Sequence, residues 1–171
     1  MLIVCMLMKL MLRQVQFNYT TYDVRRAHDI VNPATPRCNV MLLDSKRDCG
    51  SSPKGRFLYA RVLGVYHANV VYTGPGMVDY KPRRLEFLWV RWYQVDLDGD
   101  ECFSQSRLPE LSFYAVHSPQ AFGFIDPTDV LRTCHILPRF ASRKRHEHAG
   151  GHGLSRCAKD RDDYKSYYVG W

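Results

Sequence analysis

FLYARVLGVYHANVVYT (residues 57–73) and RRLEFLWVRWYQV (residues 83–95) stand either side of GPGMVDYKP (residues 74–82). Two long runs rich in aromatic and β-branched residues, joined by Gly and Pro, read as paired β-strands. Alternation places Phe57, Tyr59, Leu63 and Val65 on one face of the first run and Leu58, Val62, Tyr66 and Val70 on the other. In the second run Phe87, Trp89 and Tyr93 oppose Leu88, Val90 and Trp92. Gly64 lies mid-run, where a bend or bulge would let the strand turn a corner.

Upstream, residues 17–31 (FNYTTYDVRRAHDIV) first alternate aromatic and polar residues and then become more compatible with a helix. Asn32-Pro33 and Thr35-Pro36 end any such helix, because a residue before proline is pushed toward extended geometry. Residues 38–43 (CNVMLL) read as a short strand, and residues 44–55 as a polar loop. Downstream, residues 108–116 offer a weaker strand and residues 121–125 (AFGFI) another. Asp126-Pro127-Thr128-Asp129 starts a helix of a turn or two, with Asp126 as cap and Pro127 at the first position. Residues 133–137 return to a strand pattern that Pro138 closes. Short strands, Gly/Pro turns and one or two short helices predict a mainly β (α+β) fold, a small and strongly bent β-barrel. The expected organisation is a hydrophobic N-terminal extension (1–16), a barrel-like domain (17–140), a flexible basic segment (141–163) and an aromatic terminal segment (164–171) that docks back.

Of the 171 residues, 24 are Lys or Arg and 17 Asp or Glu, a formal charge of +7. Lys9 and Arg13 supply the excess at the start, and eight basic against four acidic residues supply it over 139–171. The centre is nearly neutral and a poor phosphate surface, so any nucleic-acid contact falls to the basic tail. Six cysteines at 5, 38, 49, 102, 134 and 157 form no CxxC pair, unlike a secreted disulfide scaffold. MLIVCMLMKLML (residues 1–12) lacks a basic residue before its apolar run and a cleavage site after it. It falls short of the roughly 20 residues a membrane span needs. It reads as a short strand, a helix or an upstream extension, in an intracellular chain with reduced thiols.

Candidate chemistry is sparse. Asp96-Leu97-Asp98-Gly99-Asp100-Glu101 imitates a calcium loop, yet the sixth position is Glu101 and the twelfth Arg107, so an acidic turn is expected. His146, His148, His152 and Cys157 match no common zinc spacing, and no metal is expected there. Cys134 and His135 would point to opposite faces of a strand, His67 and His117 lack a local dyad partner, and Gly74-Pro75-Gly76 lacks the lysine of a P-loop. These readings predict no enzyme, no cofactor and no small-molecule substrate. Two binding hypotheses remain. Tyr66, Trp89, Trp92 and Tyr93 at a barrel mouth would cage a methylated lysine. Alternatively Arg83, Arg84 and Arg91, with the cluster Arg143-Lys144-Arg145, would hold nucleic acid while aromatics stack on bases.

The blocks FNYTTYDVRR, FLYARVLGVYHANVVYTGP, RRLEFLWVRWY, AFGFIDPTDVLRTCHILPRFA and DDYKSYYVGW occur in an order that resembles the C-terminal region of proteins encoded by Plavaka-type DNA transposons of basidiomycete fungi. That resemblance covers most of residues 17–171 and implies a mobile-element protein in the nucleus. The acidic core of such transposases would lie upstream, so the resemblance implies an accessory part or remnant, a non-catalytic interaction module. The centre is also similar to BAH-like and SH3-like barrels, in which an aromatic "WVRWY" strand precedes a short helix and a closing strand. That similarity implies a protein or chromatin partner.

Overall fold

Sixteen consecutive residues, Phe57–Tyr72, form strand β5, and Arg83–Val95 form β6 antiparallel to it. This pair is the axis of the computed structural model, which describes residues 4–18, 28–44, 57–76, 79–96, 108–142, 144 and 163–170. The bulge foreseen at Gly64 is present: Val62 pairs with Val90 and Gly64 with Trp89, so one residue is extra between them. That extra residue reverses the alternation. Tyr59 and Arg61 lie on the face of Arg91, Val62 and Val65 share the opposite face, and Tyr66 joins Phe87. The sequence grouping of Tyr59 with Val65, and of Val62 with Tyr66, is corrected accordingly. Simple alternation cannot register an inserted residue.

The other edge of β5 is divided between two partners. Its first half pairs with β4 (Asn39–Leu43) and its second half with β1 (Val4–Leu12), both antiparallel. Residues 4–12, whose sequence allowed a strand, a helix or an extension, are thus a strand in the main sheet. The free edge of β6 is divided likewise between β8 (Phe122–Ile125) and β7 (Glu110–Phe113). Beyond β4 lies β9 (Val130–Thr133). Beyond β7 lies β11 (Tyr167–Gly170), followed by β10 (His135–Pro138). A separate hairpin joins β2 (Val15–Asn18) to β3 (His28–Val31), and Thr133 N donates to Asp29 Oδ2 at 2.9 Å, tying it to β9.

Two cores form on opposite faces of the shared sheet. Val40, Leu42, Ala60, Val62, Leu88 and Val90 enter the first, where Phe17, Val31, Ile125 and Val130 join them. Met41, between Val40 and Leu42, faces the second with Tyr59, Tyr93, Leu111, Phe113, Tyr167 and Val169. A strand buried on both faces is apolar at most positions, which is why residues 39–43 and 57–65 show so little polar alternation; the buried polar exceptions, Asn39 and Arg61, are met by Tyr93 and Asp163. Each fully enclosed Leu or Val contributes roughly 1.5–3 kcal/mol.

The fold is mainly β, as the sequence predicts. The path from β10 to β9 does not close on itself among the described strands. The helix started by Asp126 is one 3-10 turn, Pro127–Asp129, with the Asp126 carboxylate accepting from Thr128 N at 2.8 Å; a second such turn spans Phe140–Ser142. Within the stretch read as helix-compatible, residues 28–31 are a strand instead, because Val31 is drawn into the first core and tertiary burial overrides local preference. The aromatic terminal segment docks as β11. All but the first residue of the polar loop 44–55 and of the acidic turn 96–101, together with Arg143, Arg145 and the candidate ligands His146, His148, His152 and Cys157, lie outside the described residues, as does most of the segment 141–163.

Candidate interaction surface

Directly paired residues share a face of a sheet, so the register of β5, β6 and β8 fixes which rings meet. Tyr66 pairs with Phe87, Trp89 with Phe124 and Arg91 with Phe122. On that face Tyr66 stacks on Phe87 (5.6 Å between ring centres, 25°), and Phe124 meets Phe87 edge-on (5.6 Å, 82°). Trp89 lies tilted over Phe122 at 6.2 Å. Phe124 is 69% exposed and Leu85, two residues before Phe87, is 49% exposed. Gly64 makes the row possible. A Cβ there would sit 2.6–2.7 Å from the Tyr66 ring, so the missing side chain is the hollow into which that ring lies. The result is a half-open aromatic strip able to offer ring faces and apolar surface to a partner.

The four residues expected to form a cage do not share a mouth. Tyr66 and Trp89 belong to the strip. Trp92 faces the first core, and its indole lies across Gly123, where an added Cβ would be 2.6 Å from Nε1. Tyr93 is enclosed in the second core, stacked on Phe113 at 4.1 Å, and its hydroxyl donates to Asn39 Oδ1 at 3.1 Å. Burial pushes its phenol pKa well above the ordinary value. Lys144 is exposed and bridges to Tyr164 through the backbone. Phe87, Phe122 and Phe124 are the strip residues that sequence reading missed. The alternation of AFGFI carried the signal for the last two, but only the β6–β8 register brings them to Trp89 and Phe87.

Of the three arginines expected to meet phosphate, Arg83 and Arg84 are exposed, the first 4.0 Å from Asp79 and the second 2.8 Å from Glu86. Arg91 is enclosed. Its Nη1 lies 3.0 Å from Asp163 Oδ2, while Arg61 Nη1 lies 2.9 Å from Oδ1 of the same carboxylate. Tyr167 donates to Asp163 Oδ1 at 3.0 Å and accepts from Tyr164 N at 2.9 Å. Both guanidinium groups also lie over the Phe113 ring, 4.5 and 4.1 Å from its centre. Burial lowers the Arg61 pKa, yet Tyr93, Asp163 and Tyr167 together raise it well above the usual guanidinium value. Arg61 therefore remains charged against the second core. Breaking such a cluster by removing one member is far more costly than its net contribution suggests.

Cys134 interrupts the chain between β9 and β10 and packs against the second core, while His135 is exposed; they form no dyad. Burial pushes the Cys134 thiol up to about 12, the opposite of an activated nucleophile. His67 Nδ1 is enclosed without a hydrogen-bond partner among the described residues, and His117 is exposed. A shallow open groove lies between Gln14, Ile30, Asn32 and Arg37. No group of three or more His, Cys, Asp or Glu gathers at a metal-binding geometry among the described residues. No helix among them is long and apolar enough to cross a membrane. Comparison of the chain with protein-family models, with curated proteins and with solved structures finds no match.

Proposed function

We propose that this chain is a non-catalytic interaction module, an accessory part or remnant of a protein encoded by a fungal DNA transposon, acting in the nucleus. The finer fold reading that goes with it is a strongly bent BAH-like or SH3-like barrel with β5 and β6 as its wall. One observation carries the interaction reading: Phe124, 69% exposed, ends a row of rings whose other members are only partly covered. Covering such a ring removes apolar surface from water at about 25 cal/mol per Å². The order of the sequence blocks supports the transposon association. The alternative is a nucleic-acid- or chromatin-binding domain. Arg83 supports it, since it alternates onto the same face as Leu85 and Phe87. Arg91, held by Asp163 inside the second core, makes no contribution to it.

Titrating the full chain with methylated and unmodified histone-tail peptides, and with a single-stranded oligonucleotide, tests both. The module reading expects peptide binding that survives added salt and is lost in Phe124→Ser. Oligonucleotide binding that falls steeply with salt and weakens in Arg83→Ser shifts the assignment to the alternative. No binding to either class overturns both.

A further inference from the structure

Strand β11 lies between two other strands of the sheet and pairs with both. One is β7, paired to β6 through Tyr93↔Phe113 and Val95↔Leu111. The other is β10, which continues the chain from β9 after Cys134, and β9 is itself paired to β4. Both edges of the inserted strand are used: Tyr167 and Tyr168 pair with Leu111 and Glu110, and residues 167–170 pair with Pro138 to His135. Flanking bonds extend the seam, Val169 N to Pro109 O at 3.2 Å and Arg139 N to Ser166 O at 3.0 Å.

Three side chains of the segment enter prepared places. Val169 is fully enclosed. Tyr167 is 3% exposed and meets Tyr93 and Phe113 edge-on, at 5.8 and 5.5 Å. Asp163, 5% exposed, enters between Arg61 and Arg91, which are 8% and 2% exposed. Main-chain pairing on two edges supplies affinity, and the spacing of an acidic, an aromatic and a β-branched residue supplies selectivity. These are the two ingredients of strand-addition recognition.

We propose that the space between β7 and β10 is a strand-acceptor site. Its ligand is an extended segment carrying Asp, Tyr four residues later and Val two residues beyond that. The chain fills the site with its own residues 163–170, and a second copy can supply the same segment. Contacts made in trans are identical to those made in cis, so exchange is governed by effective concentration rather than by new chemistry.

The test starts from the full chain with a protease site placed within residues 145–162. After cutting, the C-terminal fragment stays with the body through gel filtration. An excess of labelled peptide with the sequence of residues 163–171 then replaces it. The same peptide carrying Asp163→Asn binds at least about tenfold more weakly, because a buried guanidinium pair has lost its counter-charge. In the uncut chain, two differently tagged copies form mixed dimers at high concentration, and excess peptide prevents them. Four outcomes overturn the proposal: release of the fragment on cutting, a body that loses its sheet signal when the fragment leaves, equal binding of the Asn peptide, or an absence of mixed dimers.

Discussion

Asp163 shows how much can depend on one carboxylate. It is the common acceptor of Arg61, Arg91 and Tyr167, so the isosteric change Asp163→Asn leaves two enclosed guanidinium groups facing an amide. The expected loss is about 3–5 kcal/mol in urea unfolding, a large part of a typical 5–15 kcal/mol. A loss under about 1 kcal/mol contradicts the cluster. Nothing in the sequence marks this residue: Asp160 and Asp162 stand beside it, and its partners lie 72 and 102 positions away. Gly64 is the opposite case, legible as a bulge signal though not as the seat of a ring. Gly64→Ala places a methyl against Tyr66, and the expected cost is about 1–3 kcal/mol. Gly64→Ala combined with Tyr66→Ala should cost less than the two changes added together, since the clash disappears with the ring. Additive costs in that double-mutant cycle exclude the contact.

At the scale of elements, β7, β11 and β10 are held by an ion pair as well as by their ladders. Arg139 Nη1 donates to Glu110 Oε1 at 2.6 Å, spanning the inserted strand. Partial burial raises the Glu110 pKa, but the nearby Ser166 hydroxyl and the hydrogen bond and charge of Arg139 outweigh it and hold the carboxyl below its usual 4.5. A carboxylate depressed on folding adds stability above its unfolded pKa, and that contribution fades as pH falls through the folded value. Glu110→Gln is therefore expected to lower stability by only about 0.3–1 kcal/mol near neutrality, the pair being half in solvent. The difference from the parent should shrink toward zero on acid titration below pH 4.5; a gap that widens there refutes the pairing. The elements legible in the sequence were those with local signals: CNVMLL, AFGFI and the Asp126 cap. Residues 28–31 carry no local strand signal, because HDIV is strand only by virtue of Val31's burial against elements far along the chain. β11 was legible as an aromatic end that docks, but its place between β7 and β10 follows from pairings no local pattern encodes.

The whole molecule buries a set of weak acids in their neutral forms. Burial pushes Tyr59 and Tyr167 from 10.0 to about 12 and Cys134 from 9.0 to about 12, and it raises Tyr93 further. Groups whose pKa is raised on folding leave stability intact below the unfolded value and subtract from it as pH rises toward the folded one. Stability should thus begin to fall above pH 9 and continue to about pH 12. Circular dichroism and tyrosinate absorbance followed together check this. A late group of tyrosines should ionise only as sheet signal is lost, and Cys134→Ala should move the onset up toward pH 10. Early ionisation of every tyrosine with the sheet intact refutes it. These acids gather in the second core, while the extra residue between Val62 and Gly64 decides which side chains of β5 reach each face beyond it. Without it every hydrogen bond of β5 could still be made, yet Val65 would turn outward and Tyr66 inward. What counts as interior beyond that point is set by a parity, so losing a single residue there would turn half the strand inside out while leaving its composition almost untouched.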